Sequence, residues 1–333
     1  MQTASFVEQF HALGFLGITL NTTFSSPQYF SLDGCDFVYH QPGILEVIPL
    51  HWSQRVVISS GIHGDETAPI EMVNQLVSEL IQGKYQLGAR VLFIIAHPQA
   101  IQAGKRFIDT NLNRLFEREV DDDGSLEFNI ARQLDSVVSN FFFEGEGLKW
   151  HLDVHSAIRD SKYFAFAVRP FTEPEIAKQP LMSLLSKGRV SAVLHSQSPS
   201  STFSWYSAHY HQANALTVEL GRVARFGENN HQEIKSFKAA LVALLNDAPF
   251  SLEQGSFKVK QYRVNRVLNK QDDSFRFVFP ASTANFTLFD GGEVIAYEHE
   301  QPISSQIGER LIFPNANVPI GQRAALLVVE VDN

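Results

Sequence analysis

Cysteine is almost missing from this chain: Cys35 is the only one in 333 residues. A lone thiol excludes an intramolecular disulfide and any cysteine-built metal site, so a metal here must be held by imidazole and carboxylate. Blocks of Lys or Arg are missing too, and the formal net charge is −9. That balance argues against a general surface for nucleic acid or for an anionic membrane, and it requires locally placed arginines if the ligand is a small anion. No apolar run is long enough to cross a bilayer. Residues 1–20 carry Phe6, Phe10, Leu13 and Phe15 at near-helical spacing, with Glu8 among them and no basic leader. They read as a packing helix rather than a signal peptide, and together with the cysteine usage this points to the cytoplasm. The Gly-x-Ser-x-Gly nucleophile turn is also lacking, which leaves a serine-hydrolase mechanism without support.

What is present is the composition of an ordinary globular protein, 44% hydrophobic and 19% charged, long enough for one large domain or two. The most informative stretch begins with Val56-Val57-Ile58, a β-branched run of the kind buried on both faces of a parallel sheet. Gly61 and Gly64 then permit a tight turn that presents His63 and Glu66. A helix follows, with Thr67 as its expected cap, Pro69 in its first turn and Ile70, Val73, Val77, Leu80 and Ile81 at helical spacing. The pair therefore stands where a strand ends and a helix begins, the usual place for sites in open α/β sheets. An imidazole and a carboxylate three residues apart can share one cation, and both donors suit Zn²⁺. By itself, His-x-x-Glu arises by chance in many chains as a solvated turn. It becomes a site only if the rest of the chain supplies a third donor and a base.

Short strands are expected within residues 28–58, and residues 90–96 form another buried strand that runs into His97-Pro98. The polar loop from Gly104 to Arg114 then lies near the same sheet edge as His63. The acidic run Glu117 to Asp123 reads as a solvated loop, and Leu126, Ile130, Leu134, Val137, Val138 and Phe141 form a helical stripe. Residues 148–155 are the next strand. On a helix His151 and His155 would be one turn apart, but on a strand they are about 13 Å apart and cannot share a metal. Only His155, at the strand's C-terminal end, is placed with His63, so it is the third candidate ligand and His151 is structural. Asp153 lies on the same face as His155 and either orients its ring or is a strand-end carboxylate facing solvent. Residues 163–168 and 190–194 read as strands with a helix between them. The strand 214–221 ends in Glu219, a carboxylate that is costly in an apolar strand unless it has a task or a partner. After a helix over 233–245 and Pro249 the chain changes character: residues 256–331 are rich in β-branched and aromatic residues broken by Gly and Pro. The expected architecture is α/β, a mixed and largely parallel sheet flanked by helices over 1–249, with a smaller β-rich domain over 250–333.

Four ordered motifs carry a resemblance: Gly61-Ile62-His63-Gly64-Asp65-Glu66, the run Arg106-Phe107-Ile108-Asp109-Thr110-Asn111-Leu112-Asn113-Arg114, Asp153-Val154-His155, and Val218-Glu219-Leu220-Gly221. With them the chain resembles the zinc carboxypeptidase superfamily, and within it the branch of aspartoacylases and succinylglutamate desuccinylases. The resemblance implies one Zn²⁺ held by His63, Glu66 and His155, with Asp153 behind them and Glu219 as general base. It implies Arg106 polarising the scissile carbonyl, and Asn113 and Arg114 holding a carboxylate of the amino-acid half. The implied partner is a small anionic N-acyl amino acid, and oligomerisation is left open. The reaction it implies is hydrolysis of N-succinyl-L-glutamate to succinate and L-glutamate, at the end of an arginine-degradation route. An aspartoacylase-like deacylase of another N-acyl amino acid and a small-peptide carboxypeptidase are the alternatives. Two departures bear on the substrate subclass: His97-Pro98 stands where relatives often have Asn-Pro, and Phe107 where an aromatic hydroxyl is common. For the acyl group's own carboxylate, Arg159, Arg169, Arg222 and Arg225 are equal candidates.

Overall fold

The apolar runs expected as strands form the middle of one sheet. In the computed structural model, which describes residues 5–21, 27–143, 147–247 and 257–331, the first elements are α1 (Phe6–Leu20), β1 (Gln28–Leu32), β2 (Cys35–Gln41), β3 (Ile44–Pro49), β4 (Gln54–Ser60), α2 (Thr67–Ile81), β5 (Ala89–Ile95) and α3 (Pro98–Ala103). They are followed by α4 (Leu126–Phe143), β6 (Leu148–Ala157), β7 (Ala165–Arg169), α5 (Gln179–Lys187), β8 (Ala192–His195), α6 (Phe203–His211), β9 (Asn214–Arg222) and α7 (His231–Leu245). The remainder is all strand: β10 (Lys260–Asn269), β11 (Arg276–Phe277), β12 (Val294–Glu298), β13 (Gln301–Ser304), β14 (Arg310–Ile312) and β15 (Arg323–Val331).

A 12-stranded sheet runs β1-β2-β3-β5-β4-β6-β9-β7-β8-β10-β15-β14, and β11-β12-β13 form a second, small one. At its centre β5, β4, β6 and β9 are parallel. Alternate side chains of these strands serve two cores. Val56, Ile58, Leu152, Val154, Leu216 and Val218 pack with α2 and α7, whereas Val57 packs with Leu134, Val138 and Phe203 of α4 and α6. The same alternation turns His151, Asp153 and His155 toward α6, where His151 Nδ1 lies 2.7 Å from Ser207 Oγ. Thr217 and Glu219 face that side as well, with Ser204 Oγ 2.7 Å from Thr217 Oγ1.

Thr67 does not cap α2 as its type suggests. Glu66 occupies the cap position without a side-chain bond, and the Thr67 hydroxyl donates to the Ala224 carbonyl at 2.9 Å. The β-rich C-terminal unit is present but not detached. β10 runs parallel to β8 from Lys260 opposite Ala192, and β15 and β14 extend the sheet from there. The expected boundary at residue 249 lies outside the described residues. Among the described residues no helix is long and apolar enough to cross a membrane.

Candidate functional site

β4 ends at Ser60 and the chain turns at Gly61, whose φ of +67° suits glycine. Gly64 is needed for a different reason: a Cβ there would stand 2.3 Å from the Ala100 carbonyl carbon and 2.4 Å from the Ile101 nitrogen, both backbone atoms that cannot step aside. Its N–H donates to the Arg106 carbonyl at 3.1 Å, so the turn that bears His63 is docked onto α3 and the arginine loop. Three donors then converge. His63 Nδ1 lies 2.8 Å from Glu66 Oε1, and His155 Nδ1, from the end of β6, lies 2.9 Å from Glu66 Oε2. One ligand atom from each of the three residues falls within 4.8 Å of the others, all buried. The Ser156 N–H also donates to Glu66 Oε2 at 3.0 Å.

The far nitrogen of each ring is engaged from behind. His63 Nε2 is 3.0 Å from Asn111 Oδ1, and His155 Nε2 is 2.8 Å from Asp153 Oδ2. Ser59 Oγ donates in turn to Asp153 Oδ1 at 2.6 Å. Both imidazoles thus present Nδ1 to a common centre while a polar partner fixes the ring, the arrangement in which histidines hold a metal. The charges follow the geometry. Burial alone would raise Glu66, but the two imidazoles reverse this and hold it well below the usual carboxylate range. His155 stands between two carboxylates, Asp153 and Glu66, which overcome its burial and raise it well above an ordinary histidine. His63 is lowered, chiefly by burial and despite Glu66. The two rings share one carboxylate, and the second carboxylate beside His155 is what shifts it the opposite way from His63. Two imidazoles and a buried carboxylate are a donor set that Zn²⁺ accepts.

Glu219 pairs in register with His155 across β9 and β6. It is buried, and its Oε2 has no hydrogen-bond partner among the described residues. Burial raises it to about 7, with His155 pulling the other way and Glu66 adding to the rise. A buried carboxylate left free at one oxygen and tuned near neutrality is suited to moving a proton.

The loop after α3 brings up the cations. Arg106 Nη1 donates to Glu66 Oε1 at 2.7 Å. Asn113 accepts the Phe203 N–H at 2.9 Å through Oδ1, which leaves its Nδ2 as the group a carboxylate could take. Arg114 Nη1 donates to the Asn113 carbonyl at 2.8 Å, and the residue as a whole is exposed. The residue that shapes this loop is one that periodicity hides. Glu127, fully buried in the first turn of α4, accepts the N–H of Ile108 at 2.7 Å, of Asp109 at 3.2 Å and of Thr110 at 3.3 Å. His97 completes it from the other side, its Nε2 2.8 Å from Glu127 Oε1 and its Nδ1 accepting the Ala100 N–H at the start of α3. Histidine at 97 therefore caps one helix and anchors the loop's carboxylate at once. Exchanging Glu127 for Gln puts an amide N–H₂ against those donors. The expected result is a loss of roughly 1–3 kcal/mol in stability, as for buried groups left unpaired, together with a lower kcat/KM, read by thermal melts alongside steady-state assays.

Of the four arginines considered for the acyl carboxylate, Arg169 is engaged with Glu175 at 3.1 Å and with the Ile176 carbonyl. Arg222 is exposed and pairs with Asp160 at 3.2 Å. Arg159 lines, with Arg222, a recess beside Ala68 of α2 and Ile234 of α7, and Arg225 lies exposed on the loop that clasps α2. His151 is enclosed, with Ser59 Oγ at 2.9 Å and Ser207 Oγ at 2.7 Å. Sequence reasoning assigned no role to Asn111, although it sits inside a matched motif, and it passed over Glu127 and Ser59, for which the sequence carries no signal.

Residues 53–245 match the family model of the succinylglutamate desuccinylase/aspartoacylase catalytic domain, and residues 257–331 match that of the AstE/AspA barrel-sandwich hybrid domain. The succinylglutamate desuccinylase of Vibrio parahaemolyticus is 44% identical over 305 residues, covering 90% of this chain and 88% of that protein. That of Pseudoalteromonas atlantica is 38% identical over 297 residues, covering 86% and 85%. The crystal structure of the Vibrio parahaemolyticus protein superposes with a TM-score of 0.91 at 42% identity over 96% of this chain and 95% of that one. For the succinylglutamate desuccinylase of Chromobacterium violaceum the TM-score is 0.86 at 30% identity over 96% and 98%.

Proposed function

Because this chain belongs to the succinylglutamate desuccinylase/aspartoacylase family, we propose that it is a zinc-dependent amide hydrolase that converts N-succinyl-L-glutamate and water to succinate and L-glutamate, the last step of an arginine-degradation route. The observation that carries this reading is the convergence of His63 Nδ1, His155 Nδ1 and the Glu66 carboxylate on the side of the sheet where Glu219 keeps an unpartnered oxygen. These three residues would hold the zinc, which when bound supplies Lewis-acid polarisation and lowers the pKa of a water to about 7. Asp153 and Asn111 fix the two rings from behind.

The rest of the chemistry belongs to the chain. Glu219 accepts the proton of the attacking water at Oε2 and delivers it to the nitrogen as the C–N bond breaks, so that the new C–O bond appears in succinate and the amine leaves neutral. Arg106, already at the centre through Glu66, donates to the carbonyl oxygen as negative charge gathers there. Asn113 Nδ2 and Arg114 hold a carboxylate of the glutamate half, Arg114 by a charge-assisted pair. The same reading divides the chain near residue 249, with the β-rich remainder packed beside the site.

Substrate choice tests it. In a panel of N-succinylglutamate, N-succinylarginine, N-acetylglutamate, N-acetylaspartate and a short peptide, N-succinylglutamate should have the highest kcat/KM. Loss of the succinyl carboxylate in N-acetylglutamate should lower kcat/KM by about 10- to 100-fold, roughly 1.5–3 kcal/mol for a charge-assisted hydrogen bond. Equal turnover of these two overturns the desuccinylase reading and leaves the hydrolase, and a preference for N-acetylaspartate or the peptide replaces it.

A further inference from the structure

Asp153 stands between two histidines. On one face of β6 His151, Asp153 and His155 follow one another at every second residue, so the carboxylate is flanked about equally by both rings. Only one of them has it: His155 Nε2 lies 2.8 Å from Asp153 Oδ2. A hydroxyl from the neighbouring strand engages the other. Ser59 of β4 is the register partner of Asp153, and its Oγ lies 2.6 Å from Asp153 Oδ1 and 2.9 Å from His151 Nε2. On the far side of that ring, His151 Nδ1 lies 2.7 Å from Ser207 Oγ of α6. Ser59, His151, Asp153 and Ser207 are all fully buried, so their polar atoms depend on one another for partners.

Counting protons gives this chain of bonds a direction. A carboxylate only accepts, and a serine hydroxyl has one proton to donate. Ser59 donates to Asp153, so the bond between Ser59 Oγ and His151 must be donated by Nε2 of the ring. The ring is neutral, since burial lowers its pKa to about 4, and a neutral imidazole has a single N–H. Its Nδ1 therefore accepts from Ser207. All three bonds run the same way, Ser207 to His151 to Ser59 to Asp153, and bonds aligned in this manner strengthen one another. Asp153 keeps Oδ2 for His155 alone, which fixes that ring with its proton on Nε2 and its Nδ1 turned to the centre it shares with Glu66. Without the hydroxyl, the orphaned N–H of His151 would turn to the carboxylate two residues along its own strand and compete with His155 for it.

We propose that Ser59 is a positioning residue: by accepting the N–H of His151 and donating to Asp153, it reserves that carboxylate for His155 and holds the ring of this metal ligand in the form that binds zinc. The proposal rests on the reading in which His155 is a ligand, and it is independent of the substrate. Ser59→Ala should weaken zinc binding by about 10-fold, the lower end of what partners behind a metal ligand cost, read by chelator competition on the folded variant. His151→Ala should bind zinc within about threefold of the wild type, and the double variant Ser59→Ala/His151→Ala should recover most of the Ser59→Ala loss, because the competing ring is gone. Wild-type affinity in Ser59→Ala overturns the proposal. So does a double variant as weak as Ser59→Ala, since the hydroxyl would then act through packing and not by holding off His151. Nitrogen-15 NMR of the metal-free wild type reads the same assignment and needs no variant to fold: His151 should carry its proton on Nε2. A proton on Nδ1 overturns the proposal, because Ser59 would then donate to His151 and leave Asp153 Oδ1 without its hydrogen bond. Failure of the wild type to bind zinc tells against the metal reading, whereas the position of the His151 proton still decides whether Ser59 serves Asp153.

Discussion

Exchanging Glu219 for Gln is expected to leave zinc content and melting temperature near those of the wild type and to lower kcat by about 10²- to 10⁴-fold, the usual cost of removing a general base. The amide is nearly isosteric, and Glu219 Oε2 has no hydrogen-bond partner to lose among the described residues. Stopped-time assays of succinate release, run beside elemental analysis, read both halves of this expectation. A variant with near wild-type kcat moves the base elsewhere. The pH profile follows from the same side chain. Burial lifts Glu219 to about 7, and a base works only when deprotonated, so kcat/KM falls as pH drops through its pKa. A cation bound beside it favours the charged carboxylate and moves the inflection down. The acid limb should therefore turn at or below about 7 and vanish from the residual activity of the Gln variant.

Removing His155 should abolish metal binding and turnover together, whereas removing His151 should spare both. His155 faces Glu66 at 2.9 Å and Asp153 at 2.8 Å, and its deletion leaves buried Asp153 without its imidazole partner, whereas Glu66 keeps Arg106. Breaking a buried pair in this way typically costs about 3–5 kcal/mol. His155→Ala can therefore fail to fold, and His155→Gln, which keeps a donor for Asp153, separates folding from metal binding. A folded Gln variant should carry little zinc and show no turnover. His151 is held neutral by burial, its pKa lowered to about 4, between Ser59 and Ser207. His151→Ala should cost roughly 1–3 kcal/mol of stability for the hydroxyls it strands, with zinc still bound. A full zinc complement in the His155 variants contradicts the ligand assignment.

The parts of the fold that could be read from the chain are those in which one local pattern decides the outcome. Val56 to Ile58 is a continuous apolar run because both sheet faces are covered, and in β6 the apolar Trp150, Leu152 and Val154 alternate with His151, Asp153 and His155. Strand geometry alone then separates His155 from His151. Other features escape because their cause lies far along the chain. α6 is buried on nearly every side from Phe203 to Ala208, so it has no polar face and no period to detect. α3 spans only six residues and begins at a proline that reads as a break. Glu127 resembles any acidic residue in a helix's first turn, and only the folded loop 17 to 19 residues upstream makes it an anchor. Thr67 has the chemistry of a cap, yet a carbonyl 157 residues away takes its hydroxyl. Nor does the β-rich tail announce that its first strand will extend the catalytic sheet, since edge pairing depends on β8 being free to accept it.

The most direct test of the central claim is a zinc titration of chelator-stripped protein, following succinate release from N-succinylglutamate. The account predicts negligible turnover in the stripped protein, a linear rise as zinc is added, and a plateau at one equivalent per chain. Full turnover by the stripped protein, with no response to added zinc, would contradict it.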